Sequence, residues 1–149
     1  MKFIFLDSGI LGMVSNPKTN KFNLDCQLWL DNLLVNKAHV IIPEIADYEV
    51  RRELIRGEKK ASIKKLDELK NLLIYLPIST EVMLLAAHLW AEARQKGSPT
   101  ADSKSLDGDV ILASQAKLAE INGNSVIVAT RNVKHLSLFV DAREWQNID

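Results

Sequence analysis

Lys2-Phe3-Ile4-Phe5-Leu6-Asp7-Ser8-Gly9 opens the chain with an apolar run that stops on an acid. Residues 2–6 are β-formers, and the run predicts a first strand. In an open α/β sheet the ligand crevice lies at the carboxyl ends of the strands. A strand that ends in Asp7 therefore brings a charged group to the edge where such a sheet does its chemistry. Glu49, Asp109 and Asn132 stand in comparable places, each near the end of an apolar segment or in the first turns of the helix after it. Oxygen-bearing side chains gathered at one edge suit a hard divalent cation.

Outward from that strand, strand and helix patterns alternate. Residues 8–14 predict a short helix closed near Asn16-Pro17. Residues 22–36 are amphipathic, with Phe22, Leu30, Leu33 and Leu34 as inward candidates and Asn20 or Asn23 as the cap. Residues 39–42 predict a second strand, and Pro43 opens a helix that carries Glu49 and runs to about Gly57. A Lys- and Leu-rich helix over 61–73 and a short strand over 73–76 follow, the strand stopped by Pro77. Ser79 or Thr80 caps a helix to about Lys96. Residues 97–106 read as the clearest loop, after which Asp107 or Ser105 caps a helix to about Ile121. Residues 125–129 predict a fourth strand and residues 140–143 a last one. The alternation predicts an α/β fold in three layers, a central parallel sheet covered by helices on both faces, in a single domain over 1–149.

Composition narrows the function. The 149 residues are 47% hydrophobic and 26% charged, ordinary for a globular domain. Lys plus Arg and Asp plus Glu both number 19, so the formal net charge is zero. That balance argues against attachment to nucleic acid by bulk charge alone and leaves room for a local basic groove. The single cysteine, Cys26, has no disulfide partner and shares a helical face with Trp29, Leu30 and Leu33, which predicts a buried thiol. No apolar stretch has the length of a membrane span. Met1-Lys2 leads straight into a short strand rather than a signal peptide, so a cytoplasmic protein is expected.

Four segments make the reading specific. Leu6-Asp7-Ser8 after a first strand resembles the opening motif of PIN domains. Ile42-Pro43-Glu44-Ile45-Ala46-Asp47-Tyr48-Glu49-Val50 resembles their second motif, a glutamate in the helix after strand two. Asp109-Val110-Ile111-Leu112-Ala113-Ser114-Gln115-Ala116 resembles the third, an acid followed by an apolar, small-residue helix. Val128-Ala129-Thr130-Arg131-Asn132 resembles the fourth. Order, spacing and length are similar to those of VapC-type toxins, and the resemblance covers nearly the whole chain. It implies a PIN-like, Rossmann-like domain that hydrolyses RNA with Mg²⁺ or Mn²⁺. It also implies a cognate antitoxin that occludes the site, and a homodimer, for which the helices over 61–73 and 80–96 are candidate contacts. The chemistry is consistent. A divalent cation lowers the pKa of a bound water and relieves charge on phosphoryl oxygens. Mg²⁺ keeps several waters and needs few protein oxygens.

The resemblance implies Asp7, Glu49, Asp109 and Asn132 as the catalytic set, with Asp7, Asp109 and Glu49 as metal ligands. Asp7 also fits a plain helix cap, and Ser8 fits either a cap or an orienting role. Glu53, one turn after Glu49, and Glu44 and Asp47, earlier in the same helix, compete with Glu49. Asp107 competes with Asp109 as main ligand or joins it, because acids are favoured at a helix start for structural reasons alone. Asn132 stands where many relatives carry Asp, which weakens a second metal more than the first. The resemblance implies that Thr130 holds Asp7 through its hydroxyl, and Arg131 is a candidate phosphate contact.

The basic run Arg51, Arg52, Arg56, Lys59, Lys60, Lys64 and Lys65 is broken by Glu53 and Glu58 and reads as a solvated face or an RNA-steering one. His39, His88 and His135 lack metal-ligand spacing, and Trp90 and Trp145 read as packing residues. Two other functions compete. Haloacid-dehalogenase phosphatases also open with a strand ending in Asp, but they want a second acid two residues on, where Gly9 stands. A non-catalytic binding module on the same fold has no need of converging carboxylates.

Overall fold

The chain folds as β1 (Lys2–Leu6), α1 (Ser8–Val14), α2 (Lys21–Val35), β2 (His39–Pro43), α3 (Glu44–Arg56), α4 (Lys60–Leu72) and β3 (Ile74–Leu76). Then come α5 (Thr80–Gln95), α6 (Ser103–Ile121), β4 (Ser125–Ala129), α7 (Val133–Leu136), β5 (Ala142–Arg143) and a 3-10 turn over Trp145–Asn147. This computed structural model describes residues 1–18, 20–97 and 103–149, and for residues 103–105 the backbone alone.

The strands form one sheet in the order β3-β2-β1-β4-β5, and every neighbouring pair is parallel. Parallel neighbours need long crossovers, which the helices provide. The chain steps outward from β1 to β2 and β3, then returns past β1 to β4 and β5. The strand order therefore reverses between β1 and β4. In an open α/β sheet that reversal opens a crevice at the carboxyl ends. Leu6 and Ala129, the last residues of β1 and β4, pair directly, so Asp7 and Thr130 leave the sheet side by side.

The two faces follow the period of two along each strand. Ile4 and Leu6 of β1, Val40 and Ile42 of β2, and Ile127 and Ala129 of β4 pack with α1, α2, α4 and Trp145. Phe5, Ile41, Val126 and Val128 point the other way, against α5 and α6. The three-layer α/β/α arrangement expected from the sequence is the one observed. Asn20 caps α2 by accepting from the Asn23 N–H at 2.9 Å, and Ser79 caps α5. Cys26 is fully buried, as its helical face predicted. No helix among the described residues is long and apolar enough to cross a membrane.

Several expectations need correction. Helix α6 starts at Ser103, so neither Asp107 nor Ser105 precedes it as a cap. Of the loop expected over 97–106, residues 98–102 lie outside the described residues and 103–106 are helical. Polar Ser103 to Ser105 carry no apolar period until Leu106, and that hid the first turn. Phe22, expected inward, is 42% exposed. Trp145 is buried as expected, but Trp90 is partly exposed beneath the Arg94 guanidinium, 5.4 Å from the ring centre.

Candidate functional site

Asp7 leaves β1 at the reversal. Its N–H still pairs with the Ala129 carbonyl at 3.1 Å, one step beyond the strand. Its side chain then caps α1, with Oδ1 accepting from the Ile10 N–H at 3.0 Å. Oδ2 accepts from the Thr130 hydroxyl, and Thr130 Oγ1 accepts in turn from the Asn132 N–H at 2.8 Å. The carboxylate is therefore clamped from both strands that flank the crevice. Capping and ligand roles are compatible, because a carboxylate has about four lone-pair sites. Burial pushes the Asp7 pKa up, against the Thr130 and Ile10 hydrogen bonds and the Arg131 charge.

Glu49 arrives from α3, and its rivals have other partners. Glu53 is exposed and pairs with Arg56 at 2.6 Å. Buried Asp47 takes Arg51 in a bidentate pair at 3.0 and 3.1 Å, and Arg51 also reaches Asp67 at 2.8 Å. Glu44 Oε1 accepts from the Ile78 N–H at 2.8 Å. Glu49 makes none of these structural bonds, and its carboxylate lies against the backbone of Gly108. Burial raises its pKa; Arg52 opposes that, while Asp109 and Asp7 add to it.

Asp109 is half-buried on α6. Burial lifts its pKa to about 6; the His135 charge opposes the shift and Asp7 adds to it. Across separations of 42 and 60 residues along the chain, Asp7 is thus close enough to raise the pKa of both Glu49 and Asp109, and Asp109 that of Glu49. Asp107 lies two residues earlier, roughly 200° round the helix, and is exposed. Asp109 thus faces the other acids and Asp107 does not.

Ser8 is half-buried at the first position of α1. The Asn132 side chain is exposed and makes no cap hydrogen bond to α7, while its backbone supports Thr130. Arg131 is exposed and lies over the Phe22 ring. In the basic run, Arg51 and Arg56 are tied to acids, and Arg52, which stacks over Tyr48 at 5.0 Å, acts on Glu49. His135 is the residue that sequence reasoning missed. It comes from α7, a helix too short to show a period, and its Nδ1 is buried without a hydrogen-bond partner among the described residues.

Among the described residues no three Asp, Glu, His or Cys side chains form a ready-made metal cage. The donor chemistry nonetheless fits a hydrated hard cation. Asp7, Glu49 and Asp109 all resist ionisation through burial, and Glu49 and Asp109 resist it further through the neighbouring acids. A divalent cation relieves that repulsion while keeping several of its own waters.

No family model and no curated protein matches the chain. Solved structures do. FitAcB from Neisseria gonorrhoeae superposes with a TM-score of 0.70 at 22% identity, covering 97% of this chain and 99% of that one. VapBC2 from Rickettsia felis, bound to a DNA fragment from its promoter, gives 0.71 at 20% identity over 96% and 98%. DNA-bound VapBC from Salmonella typhimurium gives 0.63 at 19% over 97% and 99%. The likeness at these identities is one of fold, and it bears out the PIN-like, three-layer α/β/α architecture to which the four sequence motifs pointed.

Proposed function

We propose that the chain is a Mg²⁺- or Mn²⁺-dependent endoribonuclease, the toxin of a type II toxin–antitoxin pair. The observation that carries this reading is the meeting of Asp7, Glu49 and Asp109 at the carboxyl edge, where the strand order reverses. Those three side chains would hold the cation, with Asn132 as a neutral oxygen donor; Asp107, exposed on the other side of α6, is not among them. When bound, the cation supplies an activated water and a Lewis acid for the phosphodiester.

The chain's own residues prepare the site. Thr130 and Ile10 hold the Asp7 carboxyl group in one orientation. Burial and the neighbouring acids favour the protonated forms of Glu49 and Asp109, and a bound cation would favour the ionised ones. Arg131 and Arg52 border the acids and suit the phosphates of an RNA strand. The cognate antitoxin partner follows from the resemblance to VapC-type toxins, and VapBC assemblies are among the solved structures of this fold. Leu72 of α4 and Met83, Leu84 and Trp90 of α5 offer exposed apolar surface for the homodimer. A cytoplasmic location goes with the same reading.

The test is cleavage of single-stranded RNA. Activity should require Mg²⁺ or Mn²⁺ and vanish in Asp7→Asn and Asp109→Asn. Full activity in EDTA, or unchanged activity in both variants, rejects the reading.

A further inference from the structure

Phe22 stands on the first turn of α2, 42% exposed, yet its ring has two partners. It meets Trp145 edge-on, with centroids 6.2 Å apart and planes at 69°. Trp145 packs in turn on Trp29 at 5.8 Å, and the Trp29 indole N–H donates to the Ile148 carbonyl at 2.8 Å. The Phe22 ring thus ends a three-ring cluster of edge-on and tilted contacts. Over the ring lies the Arg131 guanidinium, its Cζ 5.0 Å from the centroid.

Arg131 directly follows Thr130, whose hydroxyl holds Asp7. The Arg131 guanidinium is near enough for its charge to act on Asp7, and the Phe22 ring lies under that guanidinium. Single-stranded RNA is recognised by stacking unpaired bases on aromatic rings and on guanidinium planes. An exposed cation–π contact is weaker than base–aromatic stacking, so the guanidinium can yield the ring to a base or extend the stack itself. We propose that Phe22 and Arg131 form a stacking subsite for an unpaired RNA base next to the cleaved phosphate. A half-exposed ring paired with a cation that acts on Asp7 suits a nucleotide, which offers a π-face and a phosphate together. The inference rests on the nuclease reading and names how that site grips its substrate.

The test is fluorescence anisotropy with short, mixed-sequence, single-stranded RNA in Ca²⁺, read alongside Mn²⁺-dependent cleavage. Phe22→Leu keeps apolar bulk against Trp145 and removes the π-face. It should weaken binding about 5- to 100-fold and leave the dependence of affinity on salt unchanged, because the ring carries no charge. Phe22→Tyr should restore affinity. Arg131→Lys should keep the salt dependence and still bind more weakly, since lysine has no plane to stack. In the unaltered protein, 2-aminopurine placed in the RNA should lose emission on binding. A wild-type protein that cuts RNA while Phe22→Leu binds equally well, or while 2-aminopurine stays bright, overturns the subsite alone. Loss of antitoxin binding in Phe22→Leu with RNA binding intact assigns the ring to protein contact and also overturns it. A wild-type protein that neither binds nor cuts RNA removes the nuclease reading, and the subsite with it.

Discussion

A β-carbon built on Gly108 would stand 2.7 Å from Oε2 of Glu49 and 3.2 Å from its Cδ. The Glu49 carboxylate thus occupies the space that any other residue at 108 would claim. Gly108 immediately precedes Asp109, so the bare backbone of α6 is what lets an acid from α3 come close to an acid on α6. A glycine inside a helix costs about 0.5–1 kcal/mol relative to alanine. Here that cost coincides with the approach of two candidate ligands.

Gly108→Ala should therefore separate stability from function. Helix α6 gains propensity, and the displaced group is the far end of a flexible side chain, so the metal-free protein should melt at or above the wild-type temperature. The carboxylate of Glu49 is pushed out of place, and Mn²⁺ affinity and RNA cleavage should each fall about tenfold or more. Calorimetric titration with Mn²⁺ measures the first and a cleavage assay the second. Wild-type values in both would remove the role given to this contact.

Thr130 links the two strands at the reversal through one oxygen, donating to Asp7 and accepting from the Asn132 N–H. Thr130→Val keeps the shape and leaves both partners without it in a fully buried place. The cost should be about 1–3 kcal/mol of stability and about 10- to 100-fold in metal affinity, as for other groups that orient a ligand. Thr130→Ser, which keeps the hydroxyl, should recover most of both. Denaturant melts and metal titrations of the two variants check it; a loss in Ser with none in Val would point to packing of the methyl group instead.

Removing a charge from the cluster should stabilise the metal-free fold and abolish its response to metal. Burial and Asp7 both disfavour ionised Asp109, so Asp109→Asn relieves a penalty at neutral pH. Its melting temperature in EDTA should match or exceed that of the wild type, and added Mn²⁺ should not raise it further, since ligand binding stabilises only what it binds. Asp107→Asn, on the exposed side of α6, should leave the Mn²⁺ response within about twofold in affinity. If Asp107→Asn loses that response and Asp109→Asn keeps it, the two acids exchange roles.

Much of this site could be read before folding was considered, because strand ends are written locally. The run before Asp7 and the run before Thr130 each declare a strand, and pairing of Leu6 with Ala129 does the rest. The choice of Glu49 over Glu53 was open in the sequence, since both lie on one helix face; the fold separates them by giving Glu53 to Arg56 and Glu49 to α6. What could not be read depends on distant packing. The contact of Gly108 with Glu49, the approach of His135 to Asp109 and the seat of Phe22 on Trp145 join segments that share no local pattern. The four-residue helix α7 and the polar first turn of α6 are too short or too hydrophilic to show a period.

The raised acids give the metal-free protein a pH dependence of definite sign. Asp109 titrates near 6 when folded and near its ordinary 3.8 when unfolded. Between those values the folded chain holds a proton that the unfolded chain has released. Stability therefore falls as pH rises through that window and is flat for this group above about 6. Asp7 and Glu49 are shifted in the same direction, and exposed Glu53, lowered by Arg56, in the opposite one. The proposed cation would bind the ionised acids, so its stabilising effect should grow over the same window, with release of protons. Thermal melts from pH 5 to 7 should show a falling midpoint in EDTA and a widening gap between EDTA and Mn²⁺. Asp109→Asn should flatten both trends. A metal-free protein that grows more stable from pH 5 to 7, with no change in Asp109→Asn, would show that these acids are not held together as the fold has them.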